Sequence, residues 1–230
     1  MHIPDGFIDP KISFGLIGAA VAVLSYCFAR VKAALAALAP QEALAVVGAG
    51  IQKGKRVLSS LGERFIYLIG MVAALVFAAQ MFNFPVAQGT SGHLIGGVLA
   101  VVLLGPFAGT IAVAVVVVIQ ALFFADGGLI VMGANVLNMA CIGALVGYYI
   151  YAGLKRIMPE WLSVGFAAWS SVMLAALAAS LEIGLSGTFA MGAVLSSMLK
   201  VHAVIGVAEA MITIVLVNVF RKLALTREQE

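Results

Sequence analysis

The sequence predicts an all-α polytopic membrane protein of about seven transmembrane helices, N-terminus outside and C-terminus cytoplasmic, and three observations carry that prediction. Mean hydropathy is +1.15 and 10% of the 230 residues are charged, too little polar surface to cover a water-soluble domain of this size. Apolar runs near 20 residues recur, each closed by charges or by Gly and Pro, and this is the length that crosses about 30 Å of hydrocarbon. The basic residues gather at the ends of those runs, where they set orientation. One integral domain over residues 1–230 follows, with residues 1–10 as an extracytoplasmic arm and residues 32–63 as a cytoplasmic loop. The net charge of +3 is explained by these flanking residues and points to no nucleic acid.

The elements follow in order. The leader MHIPDGFIDP is acidic and contains two prolines, with no basic residue before Lys11, unlike the basic start of a secretory signal. The run from 12 to 29 is therefore expected to stay uncleaved, with Met1 as the mature terminus. Helices are predicted at 11–31, 64–83, 93–104, 107–125, 129–152, 162–183 and 200–221. The stretch 32–63 has helical, alanine-rich composition, but Lys53, Lys55, Arg56, Glu63 and Arg64 place its second half at the headgroups or in water. With the N-terminus outside, the cytoplasmic side collects Arg30, Lys32, Lys53, Lys55, Arg56, Arg64, Lys155, Arg156, Arg221, Lys222 and Arg227, eleven of the 13 basic residues. Merging 93–125 into one broken span would turn every later loop the other way, so two spans are preferred there.

The segment 93–104 reaches only about 18 Å as a helix, too short to cross alone. Short, glycine-interrupted membrane segments are where irregular backbone lines a protected cavity. The loop before it, NFPVAQGTSGH, is rich in turn formers, contains Ser91 and ends in His93.

Three histidines are present, His2, His93 and His202. A histidine at residue 2 can offer one metal ion the terminal amine, its own ionised backbone nitrogen and its imidazole Nδ1, closing five- and six-membered chelate rings. A fourth nitrogen, which His93 supplies most readily, completes a square suited to Ni(II) or Cu(II). Ordinary structural readings stand beside this one. Pro4-Asp5-Gly6 is also a turn signature. Asp5 and Asp9 either orient the imidazole or amine or are simply solvated, the second being favoured for Asp9. Asp126 in FFADGG suits a turn, and Asn135 and Asn138 suit hydrogen bonds between helices or a polar floor beneath a cavity. His202 reads most simply as a hydrogen-bonded core residue. Glu209, seven residues on and on the same helix face, is the carboxylate deep in an apolar run, a functional candidate by default. Cys27 and Cys141 read as small buried hydrophobes.

MHIPDGF, FAAQMFNFPVAQGTSGHLIGG, LLGPFAG and QALFFADGGLIVMGANVLNMA, with KVHAVIGVAEAMIT more loosely, resemble the CbiM/NikM family. These are the substrate-binding S components of energy-coupling factor ABC transporters that import cobalt or nickel. The resemblance implies metal held by Met1, His2 and His93; the residues themselves offer Asp5, Ser91, Asp126, Asn135, Asn138 and His202 as candidates to surround them. It implies no catalytic residue and no cofactor, the metal being cargo. Its partners are a coupling transmembrane subunit (CbiQ/NikQ-like), a cytoplasmic ATPase (CbiO/NikO-like) and a small accessory membrane subunit (CbiN/NikN-like). The chain departs from the family in a longer 32–63 stretch and in lacking a fused accessory extension. Two rivals remain. GLSG with Ser186 matches an intramembrane serine protease motif, but His202 follows by 16 residues, with no span between to fold it back. A proton-coupled secondary transporter would want more embedded charges than Glu209, and an internal repeat.

Overall fold

The computed structural model describes residues 2–47, 51–85 and 91–227. Helix α1, Pro10–Val47, starts where the Asp9 carboxylate accepts the Lys11 N–H at 2.8 Å, with Pro10 at the first helical position, an N-cap arrangement. Helix α2, Ile51–Gln80, ends in the apolar stretch Phe65–Gln80. Strands β1, Phe84–Pro85, and β2, Ser91–Gly92, pair antiparallel across the loop that feeds His93.

Helix α3 covers only Gly97–Leu104, and α4 runs from Pro106 to Phe124. Gly105 between them holds φ +82°, a conformation that favours glycine, and residues four on either side of it meet. A Cβ on Gly109 would stand 2.6 Å from Val101 Cα. The two helices therefore form a tight hairpin that carries α4 back to the level of His93, as two spans rather than one broken span require.

Helix α5, Met132–Val136, continues through a π-helical stretch, Leu137–Val146, into α6, Gly147–Leu154, as one rod. The last two helices, α7 (Glu160–Leu185) and α8 (Met191–Arg227), pack along each other. Among the described residues five helices are long and apolar enough to cross a membrane, and the apolar half of α2 and α3 add shorter segments. The molecule is thus a multi-pass membrane protein.

Four expected boundaries change. The 32–63 loop is largely helix, because α1 and α2 extend through it to Val47 and from Ile51; the residues between lie outside the described ones. Residues 93–96 are not helical, since partners from other elements take the backbone groups of Ile95 and the N–H of Gly96. The fifth rod begins at Met132, not 129, after a turn tied to the arm. Helix α8 begins at Met191, nine residues earlier than predicted.

The irregular segments converge at one end. Thr188 in the α7–α8 turn donates its hydroxyl to the Phe7 carbonyl at 2.9 Å, and Phe7 and Phe189 lie with ring centres 5.0 Å apart. The arm, residues 92–96 and the turn at 125–131 meet at that same end.

Candidate metal site

The arm is seated through its backbone. Asn135 reads Ile3 twice: its Oδ1 accepts the Ile3 N–H at 2.8 Å and its Nδ2 donates to the Ile3 carbonyl at 3.1 Å. Gly128 N–H donates to the same carbonyl at 2.9 Å, and the Ile3 side chain is fully buried. Asp5 accepts from the N–H groups of Leu129, Ile130 and Val131 at 3.1, 2.9 and 3.3 Å. It holds the turn entering α5, where a carboxylate complements unpaired N–H groups and the helix dipole.

Gly127 and Gly128 admit the arm. A Cβ on Gly128 would fall 2.1 Å from Asp5 Oδ1 and 2.4 Å from Asp5 N, so Gly128→Ala forces the arm off its seat. The expected result is a weaker metal affinity with little change in thermal unfolding temperature in detergent, measured on the same preparation. Equal affinity would show that the arm's seat is immaterial.

This seating buries His2 against His93, with ring centres 4.6 Å apart and planes at 25°. The His2 Nδ1 lies 3.2 Å from Asp126 Oδ1 without the alignment of a hydrogen bond. Burial lowers the His2 pKa despite the carboxylate beside it, which favours the neutral imidazole that ligates metals. For Asp126, burial pulls upward, but His2 and the Asn83 amide outweigh it and hold the carboxyl below its ordinary range. Asp126 is therefore an ionised neighbour of His2 and more than a turn residue.

His93 donates its Nδ1–H to the Leu94 carbonyl at 2.7 Å. That fixes the tautomer and leaves Nε2 as a lone pair, buried and without a partner. The segment carrying it is clamped from two sides. Glu209 accepts the Ile95 and Gly96 N–H groups at 2.8 and 2.7 Å, and Gln80 Nε2 donates to the Ile95 carbonyl at 2.7 Å. The carboxylate in α8 thus caps the entry to α3, with one hydrogen bond to each oxygen.

His202 shares Glu209's helix face and is fully buried, its Nδ1 donating to the Met198 carbonyl at 2.8 Å and its Nε2 unpartnered. Asn138 lies one turn below Asn135 and donates to Glu182 at 2.7 Å. Glu182 is a second buried carboxylate in an apolar run, where the sequence had pointed to Glu209 alone. Asp9 serves as the α1 cap. Met1 and the side chain of Ser91 lie outside the described residues.

Three residues escape sequence reasoning: Gln120, Gln80 and Glu182. Gln120 had a signal, as the polar residue in the run AVVVVIQALFF. Gln80 and Glu182 sit near helix ends, where polar residues are unremarkable. Among the described residues no three His, Cys, Asp or Glu side chains gather as a metal-binding group. A depression of about 840 Å³ opens beside His2, lined by Pro4, Asp5 and residues 121–129, the end of α4 and the turn after it.

Residues 2–226 match the family model described as the cobalt uptake substrate-specific transmembrane region, CbiM. A chain of Archaeoglobus fulgidus named as a putative fused nickel transport protein, NikMN, is 40% identical over 215 residues, 93% of this chain and 63% of that one. The fused nickel transport protein NikMN of Rhodobacter capsulatus is 32% identical, covering 82% of this chain and 48% of its own length. This chain therefore spans about half to two thirds of such fused relatives. A crystal structure of a truncated transition metal transporter superposes with a TM-score of 0.77 at 29% identity, over 96% of this chain and 99% of the other. With the family model covering nearly the whole chain and the solved transporter sharing its fold, the protein belongs to the CbiM family of substrate-specific transmembrane regions for cobalt uptake.

Proposed function

We propose that the chain is the substrate-specific metal-binding component of an energy-coupling factor ABC transporter that imports Ni(II) or Co(II) into a prokaryotic cell across its cell (inner) membrane. The metal ligands are the Met1 amine, the His2 backbone nitrogen and Nδ1, and His93 Nε2, on the extracytoplasmic side. The pairing of His2 with His93 carries this reading. With metal–nitrogen bonds of about 2.0 Å, two imidazoles at adjacent corners of one ion have ring centres roughly 4.4 Å apart. The observed 4.6 Å leaves chiefly ring rotation to bring both lone pairs onto one ion.

Charge balance supports the same donor set. The two positive charges of the ion are met by the ionised His2 backbone nitrogen and by Asp126, which matters in a site poor in water.

The chain itself carries no G-x-x-x-x-G-K-[ST] phosphate loop, so ATP hydrolysis falls to a partner. A CbiQ/NikQ-like coupling subunit, a CbiO/NikO-like ATPase and a CbiN/NikN-like accessory subunit complete the complex, and the relatives named as fused NikMN fit the last of these. The chain binds and delivers without catalysing a reaction. Vesicles containing this chain with the coupling and ATPase subunits are expected to take up radiolabelled Ni(II) or Co(II) only when ATP reaches the ATPase. Uptake by the chain alone, driven by a proton gradient, would instead make it a secondary transporter.

A further inference from the structure

Gln120 is fully buried on α4, six residues before Asp126, and neither atom of its amide has a hydrogen-bond partner. Its side chain lies against the His2 imidazole, whose Nε2 is likewise buried and unpartnered. Buried polar groups without partners in an apolar interior are costly, and such groups call for an explanation.

The chelate supplies one, and the role of Gln120 rests on the ligand set proposed for Ni(II) or Co(II). Only Nδ1 of a residue-2 histidine closes a six-membered ring with its own backbone nitrogen. With metal on Nδ1, the imidazole proton has to sit on Nε2, and a metal-bound imidazole almost always donates that proton to an acceptor. Asp126 is placed on the other nitrogen, 3.2 Å from Nδ1, and His93 covers the face of the ring. Among the described residues, Gln120 offers an acceptor beside the ring.

We propose that Gln120 is the positioning residue for His2, accepting its Nε2–H in the loaded state and so presenting Nδ1 to the metal. In the empty protein the Asp126 carboxylate lies beside Nδ1, and with metal on Nδ1 the ring proton sits on Nε2. The ring keeps one proton throughout, and the proton released to solvent is that of the His2 backbone nitrogen.

The test is Ni(II) binding to the purified full chain, wild type, Gln120→Leu, Gln120→Glu and His2→Ala, by titration and by the ligand-field absorption of the complex. Gln120→Leu is expected to lose about 10–100-fold in affinity, the usual range for such a partner. Its absorption band should move to longer wavelength, because an imidazole without its acceptor is a weaker donor. Gln120→Glu keeps an acceptor oxygen and is expected to restore the band position. An unchanged thermal midpoint in the leucine variant separates this loss from unfolding. Wild-type affinity and band in Gln120→Leu, with binding lost in His2→Ala, would overturn the role of Gln120 alone. Glutamate failing as leucine does would overturn it too. Binding unaffected by His2→Ala would instead overturn the ligand set, and this inference with it.

Discussion

His2→Ala should weaken Ni(II) binding by roughly 1,000-fold or more, a loss of about 4 kcal/mol. The substitution removes more than an imidazole. A backbone nitrogen ionises for a metal only when chelate rings on both sides hold the ion against it, so losing Nδ1 also loses the adjacent nitrogen. Two of the four donors go, and the amine and His93 that remain are ordinary monodentate ligands. Blocking the amine by a short Ser/Gly extension should act as strongly, because the histidine then becomes internal. A single added residue is a poorer probe. It places the histidine third, where one amine, two backbone nitrogens and an imidazole make a complete square without His93. Calorimetric titration of the extended and substituted chains decides the matter, and an affinity equal to wild type in both would remove the N-terminal chelate from consideration.

Glu209→Leu is expected to do comparable damage from within α8. Its two oxygens accept the Ile95 and Gly96 N–H groups, and each buried N–H left without an acceptor costs about 1–3 kcal/mol. The total of roughly 2–6 kcal/mol falls on the segment that carries His93 two residues away. Gly96 also opens α3, so the carboxylate faces the positive end of a helix dipole, and leucine forfeits that as well. Glu209→Gln keeps one good acceptor and should fall between. The expected readout is a lower thermal unfolding midpoint in detergent together with weaker metal binding. If Glu209→Leu matched wild type in both, the clamp would have no energetic role.

The pairing of His2 with His93 was legible in the sequence because it rests on local chemistry. A histidine at residue 2 is a candidate chelate by covalent distance alone, and a histidine ending a turn-rich loop before a span too short to cross is conspicuous. The apolar runs were legible for a similar reason, since hydrocarbon thickness fixes their length. Boundaries were less so: nothing local marks residues 93–96 as irregular, because their backbone groups are taken up by side chains 15 and more than 100 positions away.

Glu209 shows the limit from the other side. An embedded carboxylate announced itself as functional, but only its partners show that it organises the backbone of Ile95 and Gly96. Asp5 and Asp126 shared one expectation and received opposite fates, one spent on the N–H groups of Leu129, Ile130 and Val131, the other set beside His2. Gln120 was nearly silent. Membrane architecture could be read from the chain order, since hydrophobic length dictates it, and covalent spacing suggested the candidate donors. Which polar groups face one another emerges only on folding: burial in hydrocarbon makes an unpaired polar group costly, and the packing of the helices, not their order, chooses which groups meet.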